Sequence, residues 1–382
     1  MEGLARAGKT HGLVVSAQGL DQRFTEKACG FMKSVLEEAI AQVIVTDGQL
    51  DVNLLNRFTA VYLADCSTVT LPPELADLWQ GIGGLGSGGG AALKLDTRWE
   101  LKTGELYLGL LPGRHSDNRS PVAEASFGSG SLRLQDLGYF NLARMKAQHG
   151  RGEYWLSRLQ PRTVVRAADG RPVDLLGLLK QGATRHEMDV LVGASEQLAA
   201  RLLIWKMPEA ARAKRRAKMH ANARDQGRTP TAESLAWCDF NFLITNVGAE
   251  KLNFDECFVL YGVRWQIELL FKLWKTHGKL GHSRSKNPQR ILCEVYAKLL
   301  GLIVQHWVFL TGLWQIQERS LVKGSQMVRE QSACLAACIN DLAALTGLLE
   351  ELAERFKHGC SQNPRKTKPN TSQRFDNCSA FS

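Results

Sequence analysis

Four residues of the stretch YGVRWQIELLFKLWK (261–275) can do chemistry together: Tyr261, Arg264, Glu268 and Lys275. An α-helix turns about 100° per residue, so steps of three, four and seven place all four within an arc of about 60°. Val263, Ile267, Leu270 and Trp274 fall on a separate apolar arc, which predicts a helix with one buried face and one polar edge. Taken alone, Arg264 and Glu268 make a surface pair worth a few tenths of a kcal/mol. The neighbourhood argues for more. From 264 to 290 there are seven Lys/Arg and one acid, Glu268, with His277 and His282 adding to the cationic density. A single carboxylate in such a stretch suits a divalent cation bound beside a phosphate backbone.

Such a cation needs more than one carboxylate, and phosphodiester cleavage often employs two ions. Two further acids stand at the ends of apparent strands: Asp65 after VYLA and Asp136 after LRLQ. Each also has a plain structural reading. Asp65 caps a turn at CST, or it is a ligand. Asp136 caps the following helix, or it is a ligand.

The elements that must position these residues can be read from periodicity. Residues 16–45 read as helical, with Ser16 as an N-cap and Phe31, Val35, Leu36, Ile40 and Val43 at helical spacing. AVYLAD and STVTLP read as strand, turn, strand. ELYLGLLPG (105–113) is a strand, and SLRLQDLGYF (131–140) is a strand running into a helix at 140–149. EYWLSRLQ, RTVVRA, MDVLVGA and WCDFNFLITNV are further strands. The glycine-rich GIGGLGSGGG (81–90) lacks the GxxxxGK[ST] spacing and precedes strand-like AALKLD, so it reads as a loop. Apolar helices are expected at 291–315 and 333–356, followed by a polar, basic, mobile tail.

The formal net charge of +10 and pI near 9.2 favour a polyanionic partner. The segment 201–230 holds nine Lys/Arg against Glu209 and Asp225. MEGLARAGKTHG shows no secretory pattern. The greasy run at 299–314 is interrupted by Gln305 and His306 and is shorter than a span, so it reads as a buried helix with no membrane partner. Nine scattered cysteines without CxxC fit a reducing compartment and argue against structural zinc.

The spacing Y-x2-R-x3-E-x6-K resembles the signature of the insertion-sequence-four group of DDE transposases. LADCSTVTLP, LQDLGYFNLARM, FNFLITNV and LWKTHGKLGHSRSKNPQRILCEVYAKLLGLIVQHW are similar to the family's successive motifs, so the resemblance covers roughly residues 10–320. It implies an α/β fold: a ribonuclease H-like mixed sheet with flanking helices, interrupted by a β-rich insertion, plus helical N- and C-terminal regions. The corresponding divisions are 1–58, 59–150, 151–245 for the insertion, 246–320 and 321–382.

The resemblance also implies a catalytic trio, Asp65, Asp136 and Glu268, binding two Mg2+ ions, with Mn2+ as a substitute. Tyr261, Arg264 and Lys275 would hold DNA phosphates, and Phe240 would fill the place of a flipped base, with Trp237 and Phe242 as competitors. The partners implied are double-stranded DNA and a second copy of the chain in a synaptic complex, in a bacterial cytoplasm at the nucleoid. One departure stands out: only 64 residues precede Asp65, fewer than relatives usually carry. The expectation is either a short or truncated transposase that cuts and joins DNA, or a remnant that binds DNA without cutting it. A different nuclease on the same fold is the third reading.

Overall fold

The computed structural model describes Met1 to Ser379 apart from residues 11, 43, 45–47, 83–89, 181, 367 and 368. Val43 and most of the glycine-rich loop therefore lie outside the described residues. Within them, nine strands form a mixed sheet: β1 Val61–Thr70, β2 Ala92–Glu100, β3 Leu106–Pro112, β4 Leu132–Gln135, β5 Tyr154–Arg158, β6 Val165–Ala167, β7 Arg185–Val192, β8 Leu198–Lys206 and β9 Phe240–Thr245. Their order is β3-β2-β1-β4-β5-β9-β8-β7-β6. β1 pairs parallel with β4 and β4 parallel with β5, whereas β2–β3 and the run β5-β9-β8-β7-β6 are antiparallel.

Several sequence expectations change. The strand–turn–strand reading of 60–71 is one ten-residue strand, because the β-branched STVT continues the pleat until Pro72 and Pro73 end it. Trp237 and Cys238 belong to a helix, Ala232–Cys238, capped by Thr231, and the strand begins only at Phe240. The helix expected at 333–356 is two, Ser332–Cys338 and Leu342–Gly359, the second capped by Asp341. The basic segment 201–230 comprises the end of β8 and an exposed helix, Glu209–Asp225. The tail includes a helix, Thr371–Ser379.

The expected 261–275 helix is also divided. Phe254–Val263 ends at Arg264, Trp265–Lys272 follows, and Leu273–His277 is a wide π turn closed by Gly278 N–H donating to Leu273 O at 3.0 Å. A π turn inserts an extra residue, so a regular wheel does not describe Lys275. The apolar arc is nevertheless right: Val263, Ile267, Leu270 and Trp274 are all buried.

The chain forms two compact units. The first comprises Met1–Val52, Asp65–Val122 and Trp265–Arg374. Its central helix, Pro288–Leu310, packs on Glu26–Ala41, bringing Cys29 Sγ within 3.5 Å of Cys293 Sγ. At 23 residues this helix is long and apolar enough to cross a membrane, unlike the shorter run read from sequence; twelve of its residues are buried, as in a core helix. The stretch read as helical from 16 to 45 is two helices, a short one, Ala17–Asp21, capped by Ser16, and Glu26–Ala41, capped by Thr25. Phe31, expected on the buried face of Glu26–Ala41, is 67% exposed; Leu36 is buried as expected, Val35 and Ile40 are half-buried, and Cys29 and Ala39 complete the face. Trp314 lies 5.1 Å from Trp99 and donates to Leu101 O. Gly104, at φ +78°, is required here because a Cβ would come within 2.7 Å of the Trp314 ring.

The second unit comprises Asn53–Ala64, Ala123–Arg264 and Phe375–Ser382. Its core gathers Trp155, Leu159, Val190, Leu202, Ile204, Phe240, Phe242 and Ile244 with neighbouring apolar residues. Buried Arg201 donates to Val247 O and Leu252 O and pairs with Glu187, fixing the loop after β9. Asn253 and Glu256 then form a reciprocal capping box that starts the Phe254–Val263 helix, and Arg57 makes a two-pronged pair with Glu256.

Candidate active site

The parallel register between β1 and β4 runs Val61↔Leu132 through Ala64↔Gln135. In each strand the next residue along the chain is an aspartate, Asp65 in one and Asp136 in the other. This follows from sequence and pairing together: β1 is largely apolar up to that point, β4 alternates Leu132, Arg133, Leu134 and Gln135, all buried, and the chain reaches an acid in each where the described pairing stops.

In the second unit, Asp136, Arg158, Tyr261 and Arg264 form an ionic cluster. Asp136 is the N-cap of a single 3-10 turn, Leu137–Tyr139, but its side chain does not cap it; the later helix Leu142–Gly150 is capped by Asn141. The Asp136 carboxylate instead accepts a hydrogen bond from Arg158 Nη2 at 2.7 Å. Burial pushes the Asp136 carboxyl up. The charges of Arg264 and Arg158, with the Leu137 N–H, outweigh that and hold it below its ordinary value. Arg264 is buried, its guanidinium 6.0 Å from the Tyr261 ring, so it is no solvated surface residue. Burial raises the Tyr261 phenol, opposed by Arg158 and Arg264. Its hydroxyl is shielded and faces Arg158 without a hydrogen bond of good geometry. Sequence reasoning missed Arg158. The signal was the mostly apolar run YWLSR, which ends in Arg158 at the end of β5, the parallel neighbour of the strand leading to Asp136.

In the first unit, Asp65 is half-buried and its Oδ1 accepts the N–H of Cys66 at 2.8 Å. Cys66 Sγ in turn donates to Asp96 Oδ1 at 3.3 Å, and buried Asp96 also accepts the Val122 N–H at 3.0 Å. Lys275 is half-buried. Desolvation lowers its ammonium below the usual value, and the Asp65 charge pulls it partly back, so these two expected residues feel one another. Glu268 sits half-buried in the first turn of the Trp265–Lys272 helix, anchored by buried Ile267, Leu270 and Phe271.

Carboxylates are the right donors for a hard divalent cation. Among the described residues, however, no three His, Cys, Asp or Glu side chains converge as a metal-binding group. One Asp136 oxygen is taken by Arg158. The donor chemistry of the three carboxylates fits such a cation.

A cleft of about 290 Å3 in the second unit is lined by Trp237, Phe240 and Phe242, with Arg158, Arg215 and Lys218 at its rim. Trp237 lies against Phe242, centroids 4.0 Å apart and planes at 32°. Phe240 is 4% exposed and belongs to the core, so it offers the cleft only an edge, whereas Trp237 is half-buried. Arg215 is fixed over this cleft by bonds to Asn241 Oδ1 at 2.7 Å and Phe240 O at 3.3 Å.

A family model described as the transposase DDE domain matches residues 119–304, a span that includes Asp136, the Tyr261–Lys275 signature and Phe240 but not Asp65. The transposase for insertion sequence element IS231F of Bacillus thuringiensis subsp. israelensis is 27% identical, covering 93% of this chain and 79% of that protein. The transposase for IS231E of Bacillus thuringiensis subsp. finitimus is 25% identical over 77% of this chain and 65% of its own length. The transposase for IS1151 of Clostridium perfringens is 26% identical over 77% of this chain and 66% of its own length. The chain thus spans about two thirds of the length of the latter two relatives.

Proposed function

We infer that this chain, which belongs to the insertion-sequence-four type of DDE transposases, cleaves DNA at the ends of an insertion sequence and joins it to new DNA. The observation that carries the residue assignment is the β1–β4 register, which brings both strands to an aspartate at the same step. The order β3-β2-β1-β4-β5, with β1, β4 and β5 parallel, supports a ribonuclease H-like core. Residues 151–245, which hold β5 to β9 and the helices among them, would be the β-rich insertion, with β5 extending the parallel part of the sheet.

DDE transposases use divalent metal ions. We assign Asp65, Asp136 and Glu268 as the residues that would hold them, as two Mg2+ ions with Mn2+ able to substitute. Such an ion supplies Lewis-acid stabilisation at the phosphoryl oxygens. The chain's own residues do the rest. Arg158 and Arg264 keep Asp136 ionised and oriented. Arg264 and Lys275 place positive charge where phosphate oxygens gain negative charge, and buried charges act there with little screening. Tyr261, packed against Arg264, holds that guanidinium in place. In the reaction a water oxygen bonds to phosphorus as the P–O3′ bond breaks, leaving a 3′-hydroxyl. That hydroxyl then attacks a target phosphodiester, and the displaced oxygen takes up a proton. The aromatic cleft supports a role in receiving an unstacked base, with Phe240 at its edge and Trp237 as the more accessible ring. Joining two ends would call for a homodimer on DNA, and a chromosomal substrate would be met at the nucleoid of a bacterial cytoplasm.

A second reading, a chain that binds DNA without cutting, draws support from the Asp136–Arg158 pair, which occupies one carboxylate oxygen. Incubation with donor DNA and Mg2+ or Mn2+ separates the two. Cleavage is expected, and Glu268→Gln, Asp65→Asn or Asp136→Asn should each lower it by about 10³-fold or more while DNA binding persists. Binding by the wild-type chain with no cleavage under either ion would establish the second reading. Cleavage retained by Glu268→Gln would remove that residue from the site.

A further inference from the structure

The first unit holds a second cationic feature that the proposed chemistry does not use. A cleft of about 510 Å3 is lined by Lys272, His277, Arg319, Lys323 and Arg365, and no carboxylate appears among its described lining residues. It is a built site rather than a chance meeting of surface side chains. Ser320 N–H donates to Cys360 O at 2.6 Å, Gln362 N–H to Glu318 O at 2.7 Å, and Gln362 Nε2 to Arg319 O at 2.8 Å. These bonds pin the segment after Cys360 against the entry to the Leu321–Glu330 helix. Lys323 Nζ donates to Ser361 O at 2.8 Å, closing the same wall.

Arg319 is the informative member. Its guanidinium lies 3.8 Å over the Trp314 ring and donates to Trp314 O and Ile316 O. Among the described residues no carboxylate pairs with it, and desolvation pushes it down to about 9. A desolvated cation lacking a counter-ion is costly unless an anion is bound nearby. The N-terminal end of the Leu321–Glu330 helix adds partial positive charge at Ser320. Gln266, Gln362 and Asn363 line the cleft with neutral hydrogen-bonding groups suited to sugar and phosphate oxygens.

We propose that this cleft binds the sugar–phosphate backbone of DNA, as a contact separate from the one made by Arg264 and Lys275. It joins two basic stretches, 264–290 and the tail, that the site chemistry employs only in part. The proposal rests on DNA being the partner.

The test is equilibrium binding of a fluorescein-labelled duplex to the full chain in EDTA, so that no cutting is read. Lys323→Ala/Arg365→Ala should weaken binding by about tenfold or more at low salt. It should also flatten the slope of log K against log salt by about 1.8 units for two lost phosphate contacts. Both residues are exposed, and Lys323→Arg/Arg365→Lys should restore affinity and slope. Unchanged affinity and slope in the alanine pair would overturn the proposal. It would also be overturned if inorganic tripolyphosphate bound the wild-type chain but not the alanine pair while both bound duplex equally. Such a result would make the cleft a small-anion site. Cleavage by the Glu268→Gln chain, measured in parallel, keeps the two readings apart. If that variant is cleavage-dead and the alanine pair binds normally, only the cleft proposal fails.

Discussion

Asp136 accepts a hydrogen bond from Arg158 and feels the charges of Arg158 and Arg264, and this arrangement sets its protonation state. Its folded value lies below the ordinary value of about 4, so Asp136 contributes stability above that pH. The contribution is lost as pH falls through the lowered value. Arg158→Ala removes the 2.7 Å bond and one of the two charges. The acid limb of the cleavage–pH profile should then move to higher pH; a limb that stays put would mean Arg264 alone sets the charge. His306 gives a second residue-scale test, on stability rather than activity. Burial pushes its imidazole down to about 4, against a partly compensating bond to Gly104 O at 2.7 Å. Its stabilising effect is complete above the unfolded value of about 6.5 and is lost as pH falls from there toward about 4. The unfolding free energy from urea titrations should drop across that window by up to about 1.4 kcal/mol per pH unit from this group, and His306→Gln should flatten the drop.

The elements that carry the site depend on how their ends are fixed. The Phe254–Val263 helix presents Tyr261 and leads into Arg264, and it begins at the Asn253–Glu256 capping box. Asn253→Ala should cost about 1 kcal/mol in urea unfolding. Glu256→Ala should cost about 1–3 kcal/mol, since it removes the box and also the partner of Arg57, which is itself part-exposed. Equal, negligible losses would show that packing of Cys257, Leu260 and Val263 alone sets this helix. Downstream, Lys275 lies in the π turn at Leu273–His277, where the charge of Asp65 acts on it. π turns recur at functional sites because they re-aim one side chain without ending the helix.

Across the whole molecule the +10 charge is unevenly used. The Glu209–Asp225 helix is exposed and basic, with Arg216 and Arg212 engaged by Asp239 and Arg215 turned onto the aromatic cleft. Lys272, Lys323 and Arg365 line a different cleft in the first unit. DNA affinity should therefore fall steeply between about 50 and about 200 mM salt, as each phosphate contact releases counterions. A flat dependence, measured by anisotropy, would contradict a phosphate-dominated interface.

The order of acids and the signature spacing were legible in the chain because local chemistry writes them there. A strand leading to an aspartate, and a helix with one apolar arc carrying one lone carboxylate, are patterns of period two and 3.6. So the strands leading to Asp65 and Asp136 and the burial of Val263, Ile267, Leu270 and Trp274 could be read in advance, and the net charge of +10 pointed to a polyanionic partner. Three things depended on contacts distant in sequence. Arg158 became a partner of Asp136 only through β4–β5 pairing, 22 positions away along the chain. Phe240 went into the core because the strands beside it covered its ring, which periodicity alone does not record. The charge-lined cleft arose because the segment after Cys360 is hydrogen-bonded to residues 318–320, some forty positions earlier, bringing together cations that no local pattern connects.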